Sequence, residues 1–177
     1  MPKPSSINSS SIDQLVFDSA SLRLLQQVLE TEIPMAASMG VRVDDAGDRG
    51  DGLSISMPLE RNRNHQQTAF AGSLNALCTL AGWGMTYLQL QQIGKPGVIV
   101  IRRSSIKYHR PVDCHQVQAC CEPLSNERRE YFQEMLETKG QSKLDLEVTI
   151  TPTGDEDADR PAVAFTGSYV VLPPNAS

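Results

Sequence analysis

Two side chains able to hydrogen-bond or exchange protons, Asn64 and His65, stand a few residues ahead of Phe70-Ala71-Gly72-Ser73, which opens a long apolar run. His65 is chemically suited to general-base work, and as a lone loop histidine it also reads as a solvated side chain. Asn64 can bond a ligand or attacking water, or the backbone of its own loop. Ser73 and Cys78 lie outside a G-x-S-x-G elbow and have no His and acid partners at recognisable spacing, so they read as cap and core.

Metal and disulfide chemistry find little support. The four cysteines, at 78, 114, 120 and 121, form no CxxC and no Cys/His spacing of a zinc site. Cys120 and Cys121 on one strand would point to opposite faces. The histidines at 65, 109 and 115 give no helical pair of the HExxH kind, so neither a metal nor another cofactor is expected.

Composition narrows the function classes. Of 177 residues, 40% are hydrophobic and 21% charged, the usage of an ordinary globular domain. The formal charge of -5 argues against general nucleic-acid binding, which needs a dense cationic surface. No window approaches the ~18 apolar residues of a spanning helix, and the polar start MPKPSSINSSSIDQL lacks a signal-peptide core, so no membrane partner and a cytoplasmic location are expected.

The positioning elements follow from periodicity. Residues 1–18 read as a flexible tail and 19–173 as one domain. Leu22, Leu25, Val28 and Leu29 make one stripe of a first helix that Pro34 helps to end. MGVRVDD and GDGLSISMPLE form a hairpin, with Leu53, Ile55 and Met57 on one face and Ser54 and Ser56 on a wet one. Leu74, Leu77, Cys78, Ala81, Met85 and Leu88 recur at helical spacing for about 21 residues, or ~30 Å. Leu80, Trp83 and Tyr87 make that helix apolar on further faces, and Gly82 and Gly84 imply close approach of other backbone. VIVIRRSSIKYHRPV is a long strand with a bulge at Ser104-Ser105 and a stop at Pro111, and Gln116 to Glu122 is the next. SNERREYFQEMLETKG is an inserted surface helix with an apolar pair at Tyr131 and Met135, a Ser125 or Asn126 cap and a terminal Gly140. KLDLEVTI and AVAFTGSYVVL, joined through TPTGDEDADRP, finish an antiparallel sheet. The class is α+β, with the sheet wrapped round the long helix.

The segment N-R-N-H-Q-Q-T-A-F-A-G-S-L, followed by A-L-C-T-L-A-G-W-G, resembles the putative thioesterase domain of the YiiD C-terminal type, a hotdog family. The likeness runs from about Leu22 to Leu172 and includes Ile33-Pro34, Met39-Gly40-Val41, Ile106-Lys107-Tyr108 and Arg110-Pro111-Val112. It implies a hotdog fold and an acyl-thioester hydrolase acting on acyl-CoA or acyl-carrier-protein substrates, as a homodimer or dimer of dimers. A binding module that holds the acyl carrier without turnover is the alternative.

Better-known hotdog thioesterases carry a loop Asn or Gln, a His-Gly-Gly turn, and an acid nine residues after that His. Here the matching positions are Asn64, Phe70-Ala71-Gly72 and Thr79, and the Thr79 hydroxyl is far too weak a base to replace the acid. What the resemblance leaves intact is an oxyanion hole from the amides near Ala71 and Gly72, at the positive end of the helix. Ser73 and Phe70 would border the substrate, and Trp83 with Tyr87 would line an acyl tunnel. Arg102, Arg103, Lys107 and Arg110, the one concentrated basic run, could meet coenzyme A phosphates or form a solvated strand face or dimer contact.

Overall fold

The computed structural model describes residues 16–47, 50–152 and 160–174. Helix α1 spans Ser19–Thr31, with the Asp18 carboxylate accepting from the Ser21 N–H at 2.8 Å. That bond holds the Asp18 carboxyl below its ordinary pKa. Leu25 and Leu29 are its buried positions. Of the residues expected in the tail, 1–15 lie outside the described residues. Phe17 is buried, and its N–H donates to the Gly50 carbonyl at 2.7 Å, so the domain includes residues before Ser19.

Pro34 does more than end α1. It opens a second helix, α2 (Pro34–Met39), because a proline needs no N–H partner in a first turn. Gly40 then stops α2 at φ 73°, where a Cβ would meet Pro58 and Arg61 at 3.3 Å. Strand β1 is Arg42–Asp45 and β2 is Leu53–Pro58. The expected wet face of β2 is polar but covered: Ser54 and Ser56 are buried, and the Ser56 hydroxyl donates to Asp44 at 2.8 Å and accepts from Gln116 at 3.1 Å. One turn of helix, α3 (Leu59–Asn62), follows directly.

The long helix, α4, runs Ala71–Gln92. Six strands form one sheet in the order β1-β2-β4-β5-β6-β3, with β3 Val98–Tyr108, β4 Gln116–Cys121, β5 Ser142–Ile150 and β6 Val163–Leu172. Every neighbouring pair is antiparallel. Helix α4 lies against β2 to β6, and α1 packs on it from another side. Leu144, Leu146, Val148 and Ile150 of β5 point inward, as do Phe165 and Tyr169 of β6. Each such apolar side chain removed from water contributes on the order of 1.5–3 kcal/mol.

The glycines of α4 accommodate side chains rather than the backbone that their positions suggested. A Cβ on Gly82 would stand 2.4 Å from the Tyr169 hydroxyl, and one on Gly84 would stand 3.0 Å from Leu53 and 3.2 Å from Leu25. In β3 the bulge falls at Arg102, between Ile101 and Arg103, not at Ser104-Ser105. The extra residue shifts the alternation, so Ile106 and Tyr108 share a face with Ile99 and Ile101. Strand β3 pairs with β6 alone, and its other edge is free of any strand among the described residues.

Strand β4 pairs with β5 only at Cys120↔Thr149 and Cys121↔Val148. Beside the remaining length of β5 lies the inserted helix, α5 (Asn126–Lys139), whose Arg128 guanidinium donates to the Asp145 carbonyl. Ser125 caps α5 and Gly140 ends it at φ 68°. The Tyr131 and Met135 pair does not form the buried face of α5: Phe132, Leu136 and Arg129 are buried, whereas Tyr131 is 60% exposed. Arg129 forms a buried ion pair with Asp51 at 2.8 Å and donates to the Leu124 carbonyl, which joins α5 to the β1–β2 connection. TPTGDEDADRP lies largely outside the described residues. The described chain is the α+β hotdog arrangement, a curved antiparallel sheet round one long helix.

Candidate functional site at the start of the central helix

The chain before α4 is held by its own polar groups. Buried Asn62 donates through Nδ2 to the carbonyls of Met39 and Pro58, each at 2.9 Å, and accepts at its own carbonyl from the Phe70 N–H at 2.7 Å. Asn64 organises the intervening turn: its Oδ1 accepts from the N–H groups of Gln66 at 2.8 Å and Thr68 at 3.3 Å, and its Nδ2 donates to the Thr68 hydroxyl at 2.9 Å. Gln67 closes the turn at φ 64°. Ala69 donates to the Val112 carbonyl at 2.7 Å. Sequence spacing offers no sign of Asn62's role, because its partners come from α2 and β2.

Phe70 sits at the N-cap in extended backbone, and no side chain there accepts a hydrogen bond from the helix. The first rung of the helix is Leu74 N–H to the Phe70 carbonyl at 3.0 Å. The N–H groups of Ala71, Gly72 and Ser73 therefore lie outside the helical ladder, at the positive end of 22 aligned peptide dipoles. Ala71 and Gly72 are exposed and Ser73 is half-buried. The space beside Gly72 is taken by the Phe70 ring, since a Cβ there would be 2.4 Å from its Cε1. A ligand approaching these amides meets that ring, itself 56% exposed.

Tyr108, the last residue of β3, reaches the same place and was not singled out by spacing. Its hydroxyl donates to the Ala71 carbonyl at 3.1 Å. Partial burial, and secondarily the negative charge that a Cys78 thiolate would add, raise its pKa above the ordinary phenol value. The phenol is thus a neutral donor at pH 7.

The other predicted residues disperse along α4 and the sheet. His65 is exposed on the turn. Thr79 is half-buried and its carbonyl accepts from the Tyr169 hydroxyl at 2.9 Å. It lies eight residues past Ala71, about 12 Å along the axis. One turn before it, the Asn75 Oδ1 is buried with no hydrogen-bond partner among the described residues. Trp83 and Tyr87 stack with ring centroids 5.4 Å apart and, with Ala76 and Thr79, form a half-buried side of α4. Cys78 is buried, which pushes its thiol up to about 12 and removes it as a nucleophile at neutral pH.

The basic run does not form one cradle. Arg103 and Lys107 project to the outer face of the sheet, in register with Ser168 and Ala164. Arg102 lines a groove with Tyr131 and Lys139. Arg110 is directed to the Arg160 carbonyl, to which it donates at 2.7 Å. Among the described residues no cluster of His, Cys, Asp or Glu could hold a metal ion, and no helix is long and apolar enough to cross a membrane.

Residues 22–173 match the family model described as a putative thioesterase of the YiiD C-terminal type. The chain belongs to this YiiD C-terminal thioesterase family. A Chlorobaculum tepidum protein of unknown function is 32% identical, with a TM-score of 0.79 over 88% of this chain and 99% of that one. A Shewanella oneidensis structure described as a putative thioesterase is 30% identical, with a TM-score of 0.74 over 88% and 100%. A Haemophilus influenzae thioesterase, at 15% identity and a TM-score of 0.63 over 92% and 96%, shares the fold. The uncapped start of α4 and Thr79 both lie within the matched residues.

Proposed function

We propose that this YiiD-type protein hydrolyses acyl thioesters of coenzyme A or an acyl carrier protein, at a cytoplasmic site shared between two copies of the chain. The observation carrying this reading is the start of α4, where the amides of Ala71, Gly72 and Ser73 point out of a 22-residue helix with no side-chain cap. Such donors suit the oxygen of a thioester carbonyl, whose charge grows as water adds to the carbon. The tetrahedral intermediate then collapses, the C–S bond breaks, and the thiolate takes a proton. The products are a carboxylate and a free thiol.

In this reading the amides of Ala71 and Gly72 hold the oxyanion, and Phe70 and Ser73 border the acyl group. Tyr108 steadies the first helical turn. Asn64 and His65 sit on the preceding turn, with His65 the candidate base. Thr79 and Trp83 stand too far along the axis to meet the same carbonyl from the same chain. The free edge of β3 supports a shared site, because antiparallel pairing with a second copy would bring two sheets and two helices side by side. Trp83 then lines an acyl tunnel between copies, and Arg103 and Lys107 are available to phosphates on the outer surface.

The test is release of free thiol from a panel of short, medium and aryl acyl-CoA esters and acyl carrier proteins. Release above buffer for at least one group is expected, and none for any group would overturn the hydrolase reading. Thr79 favours one second reading, a module that binds an acyl carrier without turnover. Calorimetric binding without thiol release would select it.

A further inference from the structure

Helix α5 carries a surface that neither its packing nor the proposed chemistry uses. Its inner side, Arg129, Phe132 and Leu136, is consumed by the domain. On its outer side Tyr131 is 60% exposed, a large aromatic facing solvent. Tyr131 is also the shared wall of two grooves. One, of about 720 Å³, is bordered by Glu127, Glu130, Glu134 and Asp145, with Arg128 and Lys143 as its cations. The other, of about 440 Å³, is bordered by Arg102, Lys139 and Lys143 and contains no carboxylate. Arg102 and Lys139 make no ion pair among the described residues, whereas Lys143 is paired with Asp145 at 2.8 Å. An acidic chain thus gathers unpaired cations on one side of an exposed aromatic and an excess of carboxylates on the other.

The spacing along the helix gives that polarity a meaning. Glu127, Tyr131, Met135 and Lys139 follow one another at intervals of four. They form one i±4 ridge, the kind that interdigitates with its equal in the commonest class of helix crossing. The ridge is acidic at its start, apolar in its middle and basic at its end. Paired with a second copy about a two-fold axis that passes between the two helices, level with the midpoint between Tyr131 and Met135, Glu127 falls opposite Lys139 and Tyr131 opposite Met135. Such a surface complements itself, which an isologous contact requires and a docking site for an unrelated partner does not.

We propose that the outer face of α5 is a two-fold contact between copies of this chain, with Tyr131 and Met135 packed at its centre and Glu127 of each copy facing Lys139 of the other. The contact is separate from the free edge of β3 and stands whether or not the chain hydrolyses thioesters. One 14-residue helix per copy covers less than the ~800 Å² per partner of a standard stable interface, so the association depends on concentration and salt.

The experiment is sedimentation velocity on the full chain from about 1 to 200 µM, the range of weak specific pairs. The wild type is expected to double its number of chains across that range. Lys139→Glu sets carboxylates against each other at both ends and raises the midpoint at least about tenfold. The double variant Glu127→Lys/Lys139→Glu, and an equimolar mixture of the two single variants, recover the doubling. All of these positions are exposed, and an unchanged urea midpoint confirms that each variant folds. A constant wild-type mass, or identical behaviour of wild type and Lys139→Glu, overturns the proposal. So does a Tyr131→Ala variant that assembles normally but loses binding to coenzyme A alone, which would assign the groove to a nucleotide.

Discussion

The Tyr108 hydroxyl donates to the Ala71 carbonyl at 3.1 Å, tying the last residue of the edge strand to the first residue of the central helix. Thirty-seven positions separate them, and the bond makes the direction of the first helical amides depend on where β3 ends. Tyr108→Phe keeps the ring and removes the tether. A half-exposed bond of this kind contributes about 1 kcal/mol to stability. If the same energy holds the amides on the carbonyl oxygen, kcat falls about fivefold to tenfold with KM little changed. A proportional rise in KM with constant kcat would show instead that Tyr108 binds substrate and does not align the helix.

Gly82 and Gly84 sit two residues apart in α4 and answer differently to the same methyl group. Alanine gains about 1 kcal/mol over glycine in a helix interior. At Gly82 the new Cβ meets the Tyr169 ring and hydroxyl at 2.4–2.5 Å, and Tyr169 is fully buried and bonded to Thr79. Overpacking there costs about 1–3 kcal/mol and outweighs the helical gain. At Gly84 the contacts are 3.0 Å to Leu53 and 3.2 Å to Leu25, both methyl ends able to shift. Urea denaturation is expected to rank Gly82→Ala below wild type and Gly84→Ala within about 1 kcal/mol of it. The reverse order would mean that Tyr169 moves freely, contrary to its packing.

Much of this architecture is legible from patterns that depend on one element at a time. Strand β5 alternates without a break because one of its faces is buried along its whole length, and α5 announces itself through Ser125 and Gly140. The errors arise where a second element decides. Pro34 is both a stop for α1 and the first residue of α2, and the residue type alone favours neither. The bulge sits at Arg102 because of the register with β6, which no local signal in Ser104-Ser105 reveals. Tyr131 and Phe132 are adjacent aromatics on α5, and only the position of β5 determines which one is buried. At the site, the glycine-bearing helix start could be read directly. Tyr108 could not, since only the folded sheet carries it to Ala71.

Buried thiols make stability fall at alkaline pH. Burial raises both Cys78 and Cys121 from 9.0 to about 12, the latter with a smaller push from Glu122. The folded chain holds these protons after the unfolded chain has released them, so unfolding is favoured as pH climbs. The contribution is whole below about pH 9 and is lost between pH 9 and 12, at up to about 1.4 kcal/mol per pH unit for each thiol. Tyr169, also raised by burial, acts in the same direction at higher pH. Urea midpoints at pH 7, 8, 9 and 10 should decline over the last unit, and Cys78→Ala should decline less steeply. Parallel slopes in the two proteins would remove Cys78 as a cause.

The most direct challenge to the catalytic reading is to delete one amide of the helix start and leave the helix in place. Ala71 is the first residue of α4, where proline is favoured because its missing N–H has no helical partner. Proline also restricts the residue before it to extended backbone, and Phe70 already has φ -67° and ψ 131°. Ala71→Pro should therefore fold with a urea midpoint close to wild type. It should keep the carbonyl that accepts from Tyr108, and lose only a donor. Removing one donor to a developing oxyanion costs about 10²–10³ in kcat, with little change in binding of the ground state. Single-turnover thiol release together with calorimetric binding of a product acid and coenzyme A separates these effects. If Ala71→Pro folds, binds and hydrolyses at the wild-type rate, the Ala71 amide has no part in catalysis, and the oxyanion must rest on Gly72 and Ser73 or on groups outside this helix.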